Sequence, residues 1–303
     1  MAIKKLYYTE EGFYYAAYNK NGIIKEITGK EFGADRMKNH KGVLYREWKA
    51  CAPRAAILLV HGLGAHSGRW SLLAEFFLRN NISSYAIELK GFGETKDLKG
   101  HVDSLDIYFS DIRIFRNLIA QENPGKKIFI LGESMGGLIA FLMAGHKERL
   151  FDGLICVSPA FKSRIKFSLI EYIKIISSFI YNPKKQFRVN FDSSMCTRDS
   201  EYLKILNSDS GEHRLATSKL LLNLVFAQIK AAGLKDKINS PVLFLLAGYD
   251  KLVDLESSEK IFDNLSLKDK TIIIYPAMYH ALSIDIGREK VFSDMLKWIE
   301  RLL

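Results

Sequence analysis

The stretch Lys127-Ile-Phe-Ile-Leu-Gly-Glu-Ser134-Met-Gly-Gly-Leu-Ile-Ala140 decides the fold of this chain. Its first half contains an apolar run, Ile128 to Leu131, with the length and composition of a buried strand. The run ends at Gly132-Glu-Ser-Met-Gly136, a G-x-S-x-G motif, and an apolar helical pattern follows at once. A strand, a sharp turn and a helix in this order predict a nucleophile elbow, which presents Ser134 at the carboxyl end of a sheet. The alternative is an ordinary connection in which Ser134 is the N-cap of the helix.

Strand-like and helix-like segments alternate on both sides of this motif. The predicted strands are Ala55–Val60, Ser83–Leu89, Ile128–Leu131, Phe151–Val157, Val242–Leu246 and Thr271–Tyr275. A turn at Asn39-His-Lys-Gly42 predicts a hairpin with half-exposed strands ahead of them. Helices are predicted at Ser71–Arg79, from Ser104 onward, and at Val291–Leu302. This alternation is typical of an α/β fold, with a mostly parallel sheet and helices on both faces.

The alternation breaks at Pro159. Residues 159–235 carry helical patterns without a clear strand, and this length is too great for a loop. We therefore expect an inserted helical cap at 159–235 on a core made of residues 1–158 and 236–303. Residues 1–30 show no clean periodicity, and we expect them to be an additional segment that packs on the surface of the core.

The first helix of this cap is predicted at Ile165–Tyr181 and is apolar on most sides. Between residues 161 and 190, seven lysine and arginine residues stand against one glutamate, Glu171. An apolar helix with basic flanks is typical of an element that lies on a membrane or micelle surface. A helix buried over an apolar pocket is an equally good interpretation.

The overall composition is that of a globular protein, with 48% hydrophobic and 26% charged residues. The net charge of +10 is compatible with nucleic acid, with an anionic membrane surface or with a solvated basic surface. Since no nucleic-acid-binding signature is present, we expect no nucleic-acid partner. No charge-free apolar run approaches ~18 residues, so the sequence predicts no membrane-spanning helix. The N-terminus also lacks the apolar region of a secretory signal peptide.

The three cysteines, Cys51, Cys156 and Cys196, share no metal-binding or redox spacing. Their odd number indicates reduced thiols, which persist in a reducing compartment. We therefore expect a cytoplasmic protein, and the basic cap adds the hypothesis of peripheral contact with a membrane or micelle surface.

Three residues with complementary chemistry follow successive predicted strands. Ser134 ends one strand, Asp250 follows Val242–Leu246, and His280 follows Thr271–Tyr275. Catalytic groups of open α/β sheets gather at the carboxyl ends of strands, and the order Ser, Asp, His is that of the α/β-hydrolase fold. We predict that His280 takes the proton of Ser134 as general base and that Asp250 orients the imidazole.

Other acidic and histidine residues are weaker candidates. Asp254 lies where the N-cap of the next helix is expected, and Asp285 has no strand before it. His101 and His213 fall outside strand ends, and His61 is expected to hydrogen-bond its own loop.

The segment His61-Gly-Leu-Gly64 follows a predicted strand and is the usual place for an oxyanion donor. We predict that the backbone N–H groups of Leu63 and Met135 stabilise the oxyanion. A simple glycine-rich turn is the alternative.

With these residues in place, the chain resembles the monoacylglycerol lipase and lysophospholipase branch of the α/β-hydrolases, a serine aminopeptidase S33-like group. The resemblance runs from about Glu31 to the C-terminus. It rests on His61–Trp70, Gly91–Thr95, Gly100–Ser104, Gly132–Gly137, Asp192–Ser194, Asn207–Asp209, Gly248–Asp250 and Tyr279-His280. The resemblance implies a serine ester hydrolase of single-chain acyl lipids, with a cap over an apolar tunnel and with no metal and no organic cofactor.

Two departures from the family pattern concern the head group of the substrate. Many monoacylglycerol lipases carry an acidic residue where Ala65 stands, and some carry a second histidine where Ser283 stands. These departures and the basic cap favour an anionic or zwitterionic head group, such as that of a lysophospholipid, over a glyceride. The candidate substrate-binding residues are Arg69, Lys184, Lys185 and Arg188.

Other functions stay open. The same triad could serve a thioesterase or a small-ester carboxylesterase. A protein of another class, a catalytically silent hydrolase fold that binds membranes or proteins, is a further alternative, although its triad would be expected to lose a member. Related enzymes with an aspartate nucleophile are excluded by Ser134.

Overall fold

The computed structural model describes residues 36–146 and 149–303 in full and, ahead of them, the backbone of three strands. These strands are β1 (Ala2–Thr9), β2 (Gly12–Asn19) and β3 (Gly22–Thr28), and they pair antiparallel in the order β1-β2-β3. The sequence predicted no secondary structure here, because the tyrosines follow no clear period. The prediction that this segment packs on the core lies outside what the structure describes.

The rest of the chain continues the predicted alternation of strands and helices. The elements are β4 (Lys38–His40), β5 (Val43–Trp48), β6 (Ala55–Val60), α1 (Ser71–Arg79), β7 (Ile82–Ile87), α2 (Leu105–Glu122), β8 (Lys127–Glu133), α3 (Met135–Ala144), β9 (Gly153–Val157), α4 (Leu169–Tyr181), β10 (Gln186–Arg188), α5 (Ser200–Ser208), β11 (Leu215–Thr217), α6 (Ser218–Ala232), β12 (Val242–Ala247), α7 (Leu255–Asp263), β13 (Lys270–Tyr275) and α8 (Arg288–Leu302).

Eight strands form one sheet in the order β13-β12-β9-β8-β6-β7-β5-β4. All neighbouring strands are parallel except at the β4–β5–β7 edge, where the predicted hairpin pairs antiparallel. The predicted fold class, a mostly parallel sheet with helices on both faces, is confirmed. The carboxyl ends of β8, β12 and β13 therefore point to the same edge of the sheet.

The central strands are mostly apolar because helices cover both faces of the sheet. Strands β6, β8, β9 and β12 are almost entirely buried. On one face Phe129 contacts Trp298 of α8 with ring centroids 6.0 Å apart, whereas the other face packs against α2 and α3. The strands cannot shift without exposing one of these two cores, which fixes the residues at their ends.

The prediction of half-exposed hairpin strands is wrong for β5. Its charged residues Arg46 and Glu47 are buried along with its apolar ones. Each is compensated by an ion pair, Arg46 to Glu94 at 2.7 Å and Glu47 to Lys38 at 2.5 Å. Buried charges need such partners, and the partner of Arg46 is distant in sequence, so the alternation of residue types alone was misleading.

The chain between β9 and β12 holds three helices, α4 to α6, and two short strands, β10 and β11. The strands pair antiparallel over three residues each and are too short to show a period in sequence. Helix α4 begins four residues later than predicted, because Ser168 and Glu171 form a reciprocal capping box. The division into a core and a separate cap stays a prediction.

Candidate active site

Ser134 lies at the turn between β8 and α3, as the motif predicted. Its φ of 57° and ψ of −119° are strained for a residue with a side chain, and the surroundings hold them. A Cβ on Gly132 would lie 2.1 Å from the Gly136 carbonyl oxygen, and one on Gly136 would lie 2.1 Å from that of Val60. The glycines are therefore required by close packing. The Ser134 hydroxyl makes no capping hydrogen bond to α3, which disfavours the N-cap interpretation.

Asp250 and His280 form a buried pair at the ends of β12 and β13. His280 Nδ1 lies 2.8 Å from Asp250 Oδ2, and both side chains are almost fully buried. The other carboxylate oxygen, Oδ1, accepts hydrogen bonds from the backbone N–H groups of Leu252 at 2.8 Å and Val253 at 2.9 Å. Asp250 is thus held in one orientation by three bonds, and it fixes the ring of His280.

The surroundings of His280 shift its pKa in opposing directions. Burial lowers the pKa, whereas the charge and hydrogen bond of Asp250 and the charge of Glu133 raise it, so the net pKa lies above the ordinary histidine value. A raised pKa makes the ring a stronger base, because one pKa unit corresponds to about 1.4 kcal/mol in favour of the protonated form. The imidazole is therefore tuned to accept a proton.

A cavity of about 500 Å³ lies above this edge of the sheet, and Ser134 and His280 both line it. Leu63 and Met135, the predicted oxyanion donors, line the same cavity. Most of the remaining wall is apolar and comes from the segment between β9 and β12; it includes Ile165, Phe167, Tyr172, Ile175, Ile176, Val189, Phe191, Leu221, Leu222, Leu224 and Val225. The structure thus brings Ser134, His280 and the two predicted oxyanion donors to one apolar chamber.

One end of the cavity is polar and charged. Arg69, a candidate substrate contact, lines the wall and bonds Glu212 through Nε at 2.9 Å, while Arg214 Nη1 reaches the same carboxylate at 3.1 Å. Burial raises the pKa of Glu212, but the two guanidinium groups outweigh it and hold the pKa below its usual value. Arg69 and Arg214 therefore share the Glu212 carboxylate, while the carboxylate of Glu133 lines the same cavity.

Glu212, Arg214 and Glu133 also lie at the site, although the sequence alone did not indicate them. Glu212 meets Arg69 across 143 residues of chain, so no local spacing indicates the contact. Glu133 stands inside the serine motif, and its carboxylate accepts a hydrogen bond of 3.0 Å from Ser283. Its position in sequence, directly before the proposed nucleophile Ser134, was the one signal that could have indicated Glu133 as a site residue.

The remaining basic candidates lie elsewhere. Lys184, Lys185 and Arg188 are exposed near β10 and are not part of the cavity wall. Their role in substrate binding stays a prediction, and the geometry gives them no contact with the chamber.

The weaker candidates have structural contacts. Asp254 accepts from the Ser257 N–H at 3.0 Å and caps α7, as predicted. Asp285 is buried and accepts from Tyr279 and from Arg198. The ring of His61 bonds its own loop, and burial lowers its pKa to about 4.

Among the residues that the structure describes, no three His, Cys, Asp or Glu side chains come together as a metal-binding group. Within the same part of the chain, the helices are too short or too polar to cross a membrane.

The strand order and the turn at Ser134 define an α/β-hydrolase fold. The family model described as serine aminopeptidase S33 matches residues 51–287. The chain therefore belongs to this family of hydrolases.

Two relatives and a solved structure are similar over most of the chain. Human monoglyceride lipase is 26% identical over 263 residues, which cover 84% of this chain and 86% of the relative. A phospholipase of Bacillus subtilis is 25% identical over 251 residues, 81% of this chain and 95% of the relative. The crystal structure of the Paleococcus ferrophilus monoacylglycerol lipase superposes with a TM-score of 0.78 at 25% identity, covering 86% of this chain and 99% of that one.

Proposed function

We propose that this protein is a serine carboxylester hydrolase that cleaves the acyl ester of single-chain lipids through Ser134, His280 and Asp250. One observation carries the proposal: Ser134 and His280 line the same apolar cavity of about 500 Å³. A volume of this size and an apolar wall suit an acyl chain, since ligand pockets of ~300–1,000 Å³ bury most of a bound small molecule. Relatives named monoglyceride lipase and phospholipase support the substrate class.

The reaction follows from the roles of these groups. His280 takes the proton of the Ser134 hydroxyl, and the oxygen attacks the ester carbonyl to form a tetrahedral oxyanion. Backbone N–H groups of Leu63 and Met135 stabilise that oxyanion, which is the step where such donors contribute most. His280 then donates the proton to the departing alcohol. Water attacks the acyl-enzyme in the same way, releasing the fatty acid and restoring Ser134.

The polar end of the cavity bears on the head group. Arg69 and Arg214 both line the chamber and share the single carboxylate of Glu212. These two guanidinium groups are the lining donors that suit a head group with negative charge. Ala65 stands where many monoacylglycerol lipases carry an acidic residue, and Ser283 stands where some carry a second histidine, so a glycerol head group would have fewer partners here. We therefore place lysophospholipids ahead of monoacylglycerols as substrates.

We also propose peripheral contact with a lipid surface through the segment 159–235, which would act as a cap. Helices α4 and α6, which contact each other, expose large apolar side chains: Leu169, Ile170, Ile173, Ile176, Ile180, Tyr181, Val225, Phe226 and Ile229. Leu169 and Ile180 alone are 76% and 70% exposed. Exposed apolar patches of this extent mark interaction sites, and the nearby Lys184, Lys185 and Arg188 would add attraction to anionic lipid.

The test of the function is hydrolysis of a chain-length series of p-nitrophenyl esters by the native protein and by Ser134→Ala. We expect a medium- to long-chain optimum and loss of activity in the variant. A short-chain optimum would instead support a small-ester carboxylesterase, and negligible rates in both proteins would refute the esterase proposal.

The lipid-surface proposal has a separate test. Replacing Lys184, Lys185 and Arg188 with glutamine should lower turnover of lysophospholipid presented in anionic vesicles, while turnover of a soluble monomeric ester stays unchanged. Equal turnover of the vesicle substrate by both proteins would show that Lys184, Lys185 and Arg188 do not contribute to binding at the lipid surface.

A further inference from the structure

A second cavity, of about 360 Å³, lies between α6 and α7 and is adjacent to the active-site chamber. Its buried floor consists of Phe141, Phe161, Ala231 and Leu265. Helix α7 contributes Ile261 to the wall. The floor accepts an apolar group, since it offers ring faces and methyl groups without a polar atom that needs a partner.

The rim of this cavity is cationic. Lys162, Lys235 and Lys260 all line it, and none of the lining residues is an aspartate or glutamate. The Lys162 ammonium nitrogen lies 3.7 Å from a carboxylate oxygen of Asp254, which offsets the positive charge of Lys162. Over the described part of the chain, Lys235 and Lys260 form no ion pair. These two cations above an apolar floor are complementary to an amphiphilic anion.

The rim also carries neutral hydrogen-bonding groups. Ser257 and Asn264 line the cavity beside the lysines, and Gln228 stands in the walls of both cavities. The Gln228 amide donates to the Ala160 carbonyl oxygen at 2.9 Å, which fixes this side chain in the partition. Phe161 closes the partition by packing on Phe141 with ring centroids 4.8 Å apart. The two cavities therefore adjoin, with Lys162 and Gln228 in the walls of both and with different apolar floors.

We propose that this second cavity binds a medium-chain fatty carboxylate. The volume lies near the lower end of ligand pockets and suits one alkyl chain rather than two. The alkyl chain would lie on the floor around Phe161, and the carboxylate would sit between Lys235 and Lys260. The proposal does not depend on the chemistry of Ser134, because the two cavities have separate floors.

The test is photolabelling of the full chain with a diazirine analogue of dodecanoate, followed by peptide mapping. We expect labelled peptides from α7, which lines the second cavity and not the chamber of Ser134, and weaker labelling by the matched diazirine alcohol, which lacks the charge. The variant Lys235→Gln/Lys260→Gln should weaken dodecanoate binding, measured by calorimetry, at least about threefold, as two partly exposed ion pairs of ordinary strength imply. The control Lys230→Gln/Lys237→Gln makes the same charge change outside the cavity and should bind as the native protein does.

Several outcomes would overturn the proposal. One is label confined to peptides that line the chamber of Ser134. Another is equal labelling by acid and alcohol, and a third is unchanged affinity in the Lys235→Gln/Lys260→Gln variant. Label in α6 and α7 that forms only with phospholipid vesicles would identify a lipid head group as the occupant and would also refute a free fatty carboxylate.

Discussion

Replacing Asp250 with asparagine should abolish most activity while leaving the fold intact. In the native protein, Oδ1 accepts two backbone N–H bonds, from Leu252 and Val253, and Oδ2 faces His280 Nδ1 at 2.8 Å. The amide of the variant must keep its oxygen on the two N–H groups, because reversing it would leave those buried donors unpaired at about 1–3 kcal/mol each. Its NH2 group then faces His280.

This orientation forces the wrong tautomer on His280. Nδ1 must accept a hydrogen bond from the amide, so the proton moves to Nε2, the nitrogen that should take the proton of Ser134. Loss of the correct tautomer in a triad lowers kcat by ~10⁴-fold, which is about 5 kcal/mol of barrier. Asp250 also raises the pKa of His280, so the acid limb of the residual activity should move to lower pH.

The assay is the pH dependence of kcat/KM on a p-nitrophenyl ester, with thermal unfolding to check the fold. Asp254→Asn is the matched control, since Asp254 caps a helix four residues away and accepts similar backbone bonds. It should cost about 1 kcal/mol of stability at most and leave activity near native. A loss below tenfold for Asp250→Asn, or an equal loss in both variants, would refute the reasoning.

Three further predictions concern other contacts of the site. Glu133→Gln should move the acid limb of kcat/KM to lower pH, because the charge of Glu133 raises the pKa of His280. Gly62→Ala should lower kcat several-fold with little change in stability, since its Cβ would stand 3.1 Å from the Ser134 Cβ and displace the nucleophile by a few tenths of an ångström. A double-mutant cycle on His66 and Asp209, which are bonded at 2.7 Å, should give a coupling of about 1–2 kcal/mol in denaturant unfolding.

The pH dependence of the coupling between His66 and Asp209 follows from the pKa shifts of the two side chains. Burial lowers the pKa of His66, but its bond to Asp209 outweighs this and raises the pKa; the same bond lowers the pKa of Asp209. The histidine contribution is complete below its unfolded pKa and is lost as pH rises through the folded one. The aspartate contribution is complete above its unfolded pKa and is lost as pH falls. The coupling should therefore be largest between about pH 4 and pH 6.5.

Each of these three predictions has a control variant or a result that would contradict it. Gly233→Ala, where a Cβ would meet nothing closer than 3.5 Å, should leave kcat unchanged. An equal loss in Gly62→Ala and Gly233→Ala would contradict the displacement of Ser134. For Glu133→Gln, an acid limb at the native position would show that its charge does not reach His280, and a coupling that is flat between pH 4 and pH 9 would exclude ionisation of the His66 pair.

The sheet and the proposed triad could be predicted because their signals are local. Each central strand is an unbroken apolar run, and the parallel arrangement brings the residues after such runs to one edge. Ser134 and Asp250 follow two of these strands and His280 follows the neighbouring edge strand β13, so their position at one edge of the sheet could be predicted without knowledge of side-chain packing.

The polar end of the cavity could not be predicted, because it depends on contacts between distant segments. Arg69 meets Glu212 only once the segment between β9 and β12 folds back over the sheet. Likewise, the charged residues of β5 are buried because their partners lie on other segments. The strands β10 and β11, at three residues each, are too short for a period to emerge.

The most direct test of the central claim is covalent labelling with an alkyl fluorophosphonate, which reacts with an activated serine. Intact mass and peptide mapping should show one adduct per chain, located at Ser134, with a labelling rate that rises as His280 loses its proton. Ser134→Ala should take up no label. Absence of an adduct on the native protein, or label at another residue in both proteins, would contradict the account.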